Sequence, residues 1–333
     1  MPKTRGRETF IGSRLRLKDL HVFMAVARSG SMAKGADQLG ISQPAISEVI
    51  SGLEHVLRVK LFDRSPRGVE LTAYGRTLLN RGIAAFDELT QGLQELATLS
   101  DPGVGEVSIG CSDSVSSGFM PSLIQEFKEK YPRVVLQVRN VSTLSLELPE
   151  LRQRSLDLVI ARPQWVTHPK KHDALADDLN FETLLDDYPV VVAGSRSRWA
   201  RRDRIDLEEL IDEPWVMADT RSRSIVVEAY RARGLKEPNI SVVTNMVRLR
   251  AELAATGNYL TSLSAAMLRF YAEPLGLKVL PVDLPPQPFP VVLITLKNRA
   301  LCSTALRFIE HLKAFSKLLA AAVPGRRTAA KEA

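Results

Sequence analysis

Ala36, Gly40 and Ile46 constrain the start of the chain more tightly than any other feature of the sequence. A small residue lets two helices approach each other, a glycine four residues later permits a left-handed turn, and an apolar residue six positions beyond fixes the second helix. Ser31 and Ser42 stand immediately before the two helical patterns, where N-cap residues are expected. The spacing therefore predicts two short helices joined by a tight turn.

The segments around this turn complete a small module. An apolar pattern of helical spacing starts at Leu17, and residues 61–71 read as two short strands around a polar turn. Three helices followed by a hairpin form a winged helix-turn-helix, an arrangement that places its second motif helix in the major groove of DNA. We assign this module to residues 17–75.

Positive charge is concentrated at the same end of the chain. Residues 1–82 carry 14 Lys and Arg against 7 Asp and Glu, a balance of +7 that equals the net charge of the whole chain, so residues 83–333 sum to zero. A basic module on a neutral body indicates that the front end meets a polyanion. We therefore predict binding of double-stranded DNA, with residues 1–16 as a disordered basic arm.

A long amphipathic segment follows the hairpin. Thr72 is predicted to cap a helix that reaches about residue 99. Apolar residues recur along it at spacings of three and four, namely Leu79, Ile83, Phe86, Leu89, Leu93 and Leu96. Such a stripe either packs on its own module or pairs with a second copy. We favour a linker and dimerisation helix over residues 72–99, since a helix between two modules has no core of its own.

Strand and helix patterns alternate from residue 105 to residue 323, which predicts α/β units with mostly parallel sheets. The predicted fold class is therefore α/β plus an all-α N-terminal module. We expect an effector-binding domain of two lobes, residues 105–178 with 283–323 and residues 179–282, around a cleft of the kind that binds small molecules. Residues 324–333 read as a frayed tail.

Candidate DNA contacts follow from the module. The exposed first turn of the recognition helix offers Ser42, Gln43, Pro44 and Ser47. Gln43 is suited to adenine, the serines to phosphates or base edges, and Pro44 to a thymine methyl group. Three basic residues around the hairpin are candidate phosphate contacts: Lys60, Arg64 and Arg67. The alternative for these three is a solvated wing with incidental charges.

A serine-rich turn predicts an anion site in the cleft. Residues 112–118 end the first α/β strand and open a helix, where backbone N–H groups and the hydroxyls of Ser112 and its neighbours suit a carboxylate. Ordinary capping needs only one of these serines, and Asp113 argues against a simple anion pocket. Arg162 follows the buried strand 158–161 and is suited to bind a carboxylate or to form a salt bridge between the lobes.

A long, ordered set of residues carries a family resemblance: Leu20–Phe23, Gly30–Ser31, Ala36–Leu39, Ser42–Ala45, Ser47, Leu53–Glu54, Leu61–Phe62, Arg64, Arg67–Gly68, Leu71–Thr72 and Gly75. By these residues the chain resembles LysR-type transcriptional regulators, and the downstream layout extends the resemblance to about residue 320. Glu48 departs from the pattern, since the family usually has a basic or polar residue there. It either accepts from cytosine or repels phosphate.

The resemblance implies a winged helix-turn-helix, a long dimerising linker helix and two lobes similar to periplasmic binding proteins. It implies a homo-oligomer, a dimer or a tetramer, that binds inverted-repeat DNA near promoters, with RNA polymerase as a further partner. It also implies that Ser114 and Thr143 line an effector cleft. The second lobe contributes three more candidates: Ser222, Ser224 and Thr244.

Other classes of protein fit the sequence less well. No uncharged apolar run approaches the roughly 20 residues that a membrane helix needs, and no apolar targeting segment follows Met1, so we expect a cytoplasmic protein. Two cysteines and five histidines lie in no metal or catalytic motif, and we predict no cofactor, no metal and no enzymatic activity. The rivals are a transport-like binding protein and an enzyme.

Overall fold

The computed structural model describes residues 14–65, 68–143, 146–162, 176–218, 224–285 and 290–322. These residues form two compact units, divided between Leu93 and Gln94 within one long helix. The predicted tail and all but residues 14–16 of the predicted arm lie outside the described ranges. No helix in those ranges is both long enough and apolar enough to cross a bilayer.

The first unit has the helices and the hairpin expected of it. Its elements are α1 (Leu17–Ser29), α2 (Met32–Leu39), α3 (Gln43–Leu57), β1 (Phe62–Ser65), β2 (Gly68–Leu71) and the start of α4 (Ala73–Ser100). Strands β1 and β2 are antiparallel, with Phe62 opposite Leu71. The predicted winged helix-turn-helix is therefore confirmed.

Local chemistry explains the turn between α2 and α3. Gly40 ends α2 with a φ of 65°, a left-handed conformation that glycine adopts without strain, and its N–H donates to the carbonyls of Ala36 and Asp37. The Ser42 hydroxyl accepts the N–H of Ala45 at 3.3 Å and so caps α3. The turn between the two helices thus contains a left-handed glycine and a capping hydroxyl.

The leucine-rich stripe of α4 is divided between two environments. Its first half, Leu79, Ile83 and Phe86, packs against the core of the first unit, which includes the fully buried Phe23 and Ile46. The expectation that this helix lacks a core is therefore wrong for that half. The second half is exposed: Leu89, Leu93, Leu96 and Leu99.

The second unit begins with a lobe built on a five-stranded sheet. Its strands are β3 (Gly105–Cys111), β4 (Val134–Asn140), β5 (Leu158–Ala161), β6 (Leu179–Leu185) and β12 (Val291–Leu296), in the order β4-β3-β5-β12-β6. The helices of this lobe are α5 (Asp113–Ser116), α6 (Met120–Lys130), α7 (Pro149–Arg152) and α11 (Ser303–Ala322). The sequence predicts that the second lobe begins at residue 179, but β6 pairs with β12 and therefore belongs to the first lobe.

The sheet is mixed rather than mostly parallel. Strand β3 is parallel to β4 and to β5, whereas β12 is antiparallel to both β5 and β6. Strands β5 and β6 therefore run in the same direction, and β12 runs against them because it returns from the second lobe. An inner strand of the first lobe is thus supplied by residues near the end of the chain.

The second lobe has two smaller sheets. Its elements are β7 (Pro189–Gly194), β8 (Trp215–Met217), α8 (Ile225–Ala232), β9 (Ile240–Val243), α9 (Val247–Ala255), β10 (Thr261–Ser264), α10 (Ala265–Tyr271) and β11 (Leu277–Val279). Strands β10-β7-β11 form an antiparallel sheet, and β8 is parallel to β9. Trp215 of β8 and Tyr230 of α8 are fully buried in the core of this lobe. The second lobe thus also departs from the parallel arrangement that we expected.

Candidate DNA interface and effector cleft

The first turn of α3 presents the predicted base-reading residues at the surface. Ser42, Gln43 and Pro44 are exposed and Ser47 is half-buried. Their opposite face is held by Ile46 and Ile50, which are fully buried. A rigid helix end with an exposed amide and exposed hydroxyls has the chemistry that base edges in the major groove require.

Two of the three predicted basic contacts lie in or just before the hairpin. Arg64 lies exposed on β1, and the Lys60 side chain, 77% exposed, places Nζ 2.6 Å from Glu54 Oε2. Lys60 therefore has a structural partner as well as access to solvent. Arg67 lies outside the described residues. Glu48 is exposed on α3.

Glu54 connects α3, the recognition helix, to the start of the β1–β2 hairpin, which is the wing. One of its oxygens, Oε1, accepts the N–H groups of Leu61 at 2.8 Å and Phe62 at 3.3 Å. Burial by itself would raise the pKa of the Glu54 carboxyl, but hydrogen bonds from Lys60, Leu61 and Phe62 and the charge of Lys60 outweigh it and lower the pKa. A buried carboxylate thus positions the start of the wing.

Glu54→Gln should reduce the free energy of unfolding of the first unit by about 2 kcal/mol at pH 7, because hydrogen bonds to a charged group are lost or weakened. The folded pKa of Glu54 lies below its ordinary value of 4.5, so the carboxylate stabilises the parent above that pH and the contribution disappears as the pH falls through the folded pKa. Urea unfolding at pH 7 and at acid pH measures both effects.

The control is Glu48→Gln, which removes an exposed carboxylate from the same helix. We expect it to change the unfolding free energy by less than about 0.5 kcal/mol. Equal losses in the two variants, or a loss in Glu54→Gln that is independent of pH, would contradict the assigned role of Glu54.

A cleft between the two lobes of the second unit has an inner and an outer chamber. The inner chamber, about 130 Å³, is lined mainly by apolar side chains, among them Met217, Ile225, Leu263 and Met267. The outer chamber, about 470 Å³, is more polar, with Ser112, Asn140 and Thr143 in its wall. Ser114, Arg162 and Arg250 line both chambers and mark their junction.

Five of the seven predicted effector contacts come together here. Ser112 and Thr143 line the outer chamber, Ser224 the inner one, and Ser114 and Arg162 both. Thr244 is absent from both walls as far as the structure describes them, although its neighbours Asn245 and Met246 line the outer chamber. The Thr244 hydroxyl accepts the N–H of Met246. Ser222 lies outside the described residues.

Arg162 forms the salt bridge that was one of its two expected roles. Its Nη1 donates to Asp187 Oδ2, and the two side chains are 2% and 0% exposed. Asp187 also accepts the N–H of Ala266 and the hydroxyl of Ser264, both from the second lobe. Nevertheless, Arg162 Nε and Nη2 are buried without a hydrogen-bond partner in the described residues. The guanidinium is therefore held by Asp187 at Nη1, while its Nε and Nη2 lack an acceptor among the described residues.

Two further charged residues of the cleft were not identified as contacts from the sequence. Arg250 on α9 donates from Nη1 to the carbonyl of Ser262 at 3.3 Å, and its Nε has no partner among the described residues. Burial lowers the pKa of this guanidinium, whereas the charge of Asp113 acts in the opposite direction. Asp113 Oδ2 accepts the N–H of Val247 at 2.7 Å, across the cleft. The carboxylate of Asp113, at the start of α5, therefore bridges the cleft to the backbone N–H of Val247 at the start of α9.

Comparison with known proteins places both units in one family. A family model described as the LysR substrate binding domain matches residues 100–317, and a model described as the bacterial regulatory helix-turn-helix protein of the lysR family matches residues 17–76. Together these two matches cover most of the chain. The match to the first model alone extends over more than half of it.

Individual relatives agree with these models. The HTH-type transcriptional regulator TdcA of Escherichia coli (strain K12) is 32% identical over 250 residues, which cover 74% of this chain and 77% of TdcA. A full-length OxyR variant from Pseudomonas aeruginosa has the same fold, with a TM-score of 0.60, 22% identity and coverage of 91% of this chain and 98% of that one. Full-length CbnR complexed with its target DNA gives a TM-score of 0.50, 19% identity and coverage of 90% and 99%. The chain therefore belongs to the LysR family of bacterial DNA-binding transcriptional regulators and carries that family's substrate-binding domain.

Proposed function

We propose that this regulator reads a symmetric operator through α3 and the wing and changes its activity when a small molecule binds between the two lobes. One observation carries the second part: Arg162 Nε and Nη2 are buried at the cleft wall and have no hydrogen-bond partner in the described residues. Leaving charged donors buried and unpaired is costly, and an anionic group of an effector would satisfy them. The cleft chemistry thus favours a ligand with a carboxylate.

We further propose a functional division of the chain into a DNA-binding module at residues 17–75, a linker helix at 72–99 and an effector domain at 105–323. Support for a homo-oligomer comes from the exposed second half of the α4 stripe, which includes Leu93 and Leu96. Exposed leucines at helical spacing gain most by packing against a second copy. A dimer built on α4 would place two α3 helices in major grooves about 34 Å apart.

Gating by the effector requires that it bind one lobe arrangement more tightly than another. The bridge from Asp113 to Val247 is one contact that such a rearrangement would change. In an oligomer, a shift of the lobes would alter the spacing of the DNA-binding modules and so the bending of DNA and contact with RNA polymerase.

We also propose that the chain carries no enzymatic activity. The relative TdcA is a transcriptional regulator. Burial, with a smaller effect of the Asp113 charge, raises the pKa of the Cys111 thiol to about 11, so it is a poor nucleophile at neutral pH. Assays for turnover of any compound that binds the cleft would detect an error in this assignment.

The test is footprinting of the purified protein on DNA upstream of its own gene, with and without small carboxylates. A protected region with two symmetric half-sites, whose extent or affinity changes with one of the compounds, is the expected result. Specific protection that no small molecule alters would overturn the gating. Absence of specific protection would overturn the assignment of the operator contacts.

Two substitutions should separate base reading from phosphate binding. Gln43→Ala is expected to relax base preference at one position of each half-site, at a cost of about 1–3 kcal/mol for the preferred base. Arg64→Ala should weaken binding to all DNA and reduce the slope of affinity against salt by about 1. Fluorescence anisotropy on matched and mutated operators, at several salt concentrations, measures both.

Arg204→Ala is the matched control, since it removes one positive charge from a side chain that is 87% exposed in the second unit. It should leave the salt slope and the base preference unchanged. If Arg64→Ala and Arg204→Ala behave alike, the wing does not supply the phosphate contact.

A further inference from the structure

The charges at the cleft indicate what kind of effector fits it. Among the described wall residues, Arg162 and Arg250 are positive and Asp113 is negative, and Asp187 behind Arg162 supplies a second negative charge. The formal charges of these four side chains sum to zero. A ligand that carries a carboxylate alone would add an uncompensated negative charge to a low-dielectric site, whereas a zwitterion would leave the sum unchanged.

The junction of the chambers provides donors for a carboxylate. Arg162 Nε, Arg162 Nη2 and Arg250 Nε are buried, and no described residue accepts from them. Both side chains are held in place, Arg162 by Asp187 and Arg250 by the carbonyl of Ser262. Guanidinium groups that are already held in position and still have free N–H donors are the side chains best suited to bind a carboxylate.

Asp113 provides an acceptor in the wall of the outer chamber. Its Oδ2 accepts the N–H of Val247, while the described residues provide no hydrogen bond to Oδ1, and the side chain lines the outer chamber. A carboxylate oxygen in a chamber whose wall also carries the hydroxyl and amide groups of Ser112, Asn140 and Thr143 is suited to a ligand ammonium. The Asp113 charge that argued against a simple anion pocket thus becomes a second point of recognition.

The inner chamber limits the size and polarity of the remaining part of the ligand. Its walls include Met217, Ile225, Leu263 and Met267, and its volume is about 130 Å³. A dry protein cavity of about 150 Å³ accommodates benzene, so this chamber has room for roughly four to six carbon atoms. It favours a short aliphatic group.

We propose that the effector is a small aliphatic α-amino acid, with its carboxylate at Arg162 and Arg250, its ammonium at Asp113 and its side chain in the inner chamber. This proposal rests on the proposed function, because it assigns the ligand of the same cleft. Removing the ligand carboxylate leaves the buried Arg162 donors unsatisfied, and removing its ammonium leaves the half-buried Asp113 carboxylate unmatched. Either loss costs about 1–3 kcal/mol, which corresponds to roughly 10- to 100-fold weaker binding.

The experiment is isothermal titration calorimetry of the full-length protein with L-valine, L-leucine and L-isoleucine. Each is compared with its analogue that lacks the amino group; for valine this is 3-methylbutanoate, and 2-methylpropylamine serves as the analogue that lacks the carboxylate. We expect at least one amino acid to bind at least about 10-fold more tightly than both of its analogues.

Asp113→Asn should abolish this preference and bring the amino acid and 3-methylbutanoate to similar affinities. Asp203→Asn, an exposed aspartate of the second lobe, should retain it.

The outcomes separate the two proposals. If 3-methylbutanoate binds as tightly as the amino acids in the parent, or if Asp113→Asn keeps the full preference, recognition of an ammonium is overturned while effector binding stands. If none of these compounds binds but another small molecule alters the footprint, the amino-acid proposal fails and the gating stands. If no small molecule changes the footprint, both fail.

Discussion

Asp187→Ala is expected to lower the free energy of unfolding of the second unit by about 3–5 kcal/mol, because it leaves the buried guanidinium of Arg162 without its counter-charge. Asp187 is 0% exposed at its side chain and also accepts the N–H groups of Tyr188 at 2.8 Å and Ala266 at 3.1 Å. Urea unfolding followed by tryptophan fluorescence reports on this unit, because residues 94–333 contain all three tryptophans of the chain.

The control for Asp187 is Asp178→Ala. Asp178 pairs with Arg152 at 2.8 Å, but their side chains are 50% and 25% exposed, so the loss should stay below about 1 kcal/mol. Similar losses in the two variants would mean that the buried pair contributes no more to the free energy of unfolding than the exposed pair does. Because Asp187 lies between β6 of the first lobe and β7 of the second, its removal should also abolish the response to effector under conditions where the protein remains folded.

Gly75→Ala should destabilise the first unit by about 3 kcal/mol and abolish DNA binding near its unfolding temperature. Gly75 lies in the first turn of α4, where a β-carbon would stand 2.2 Å from the carbonyl oxygen of Leu61 and 2.8 Å from Leu71 Cδ2. The oxygen belongs to the backbone and accepts the N–H of Thr72 at 3.0 Å, so it has little freedom to withdraw. Thermal unfolding followed by circular dichroism, together with anisotropy on operator DNA, measures both losses.

Gly52→Ala is the comparison for Gly75. Gly52 lies inside α3, and a β-carbon there would meet no atom within 4 Å. Because alanine is the better helix former, this variant should gain about 0.5–1 kcal/mol of stability. A Gly75→Ala variant as stable as the parent would show that α4 can move away from the hairpin at little cost.

Short-range signals made the first unit predictable. Ser31 and Ser42 cap α2 and α3 as expected, and Gly40 adopts the left-handed turn that its position required. These features depend on neighbours within four residues, which the sequence displays directly. Strand β6 had no such signal: of its seven residues only Leu179 and Leu185 are buried, so the alternation that marks a strand is absent. Its existence depends on β12, more than 100 residues away.

The same distinction applies to the cleft. Asp186 and Asp187 are adjacent and chemically identical, yet one is exposed and the other buried beneath Arg162. Arg250 lies between Arg248 and Glu252, which pair with each other at the surface of α9. Nothing in the local spacing separates Asp187 and Arg250 from their solvated neighbours, because the residues that they contact, Arg162 and Ser262, belong to other elements of the fold. Serines at the end of β3 were identifiable because a strand followed by a helix start is itself a local pattern.

The position of β12 in the sheet has a consequence for the order in which the protein is made. Strand β12 lies between β5 and β6, so the first lobe cannot close its sheet until residues 291–296 have been synthesised. Residues up to 93 precede that strand by about 200 positions, an interval of about 10–40 s at ordinary rates of translation. A nascent chain therefore contains every residue of the first unit, with its recognition helix α3, well before the second unit can fold.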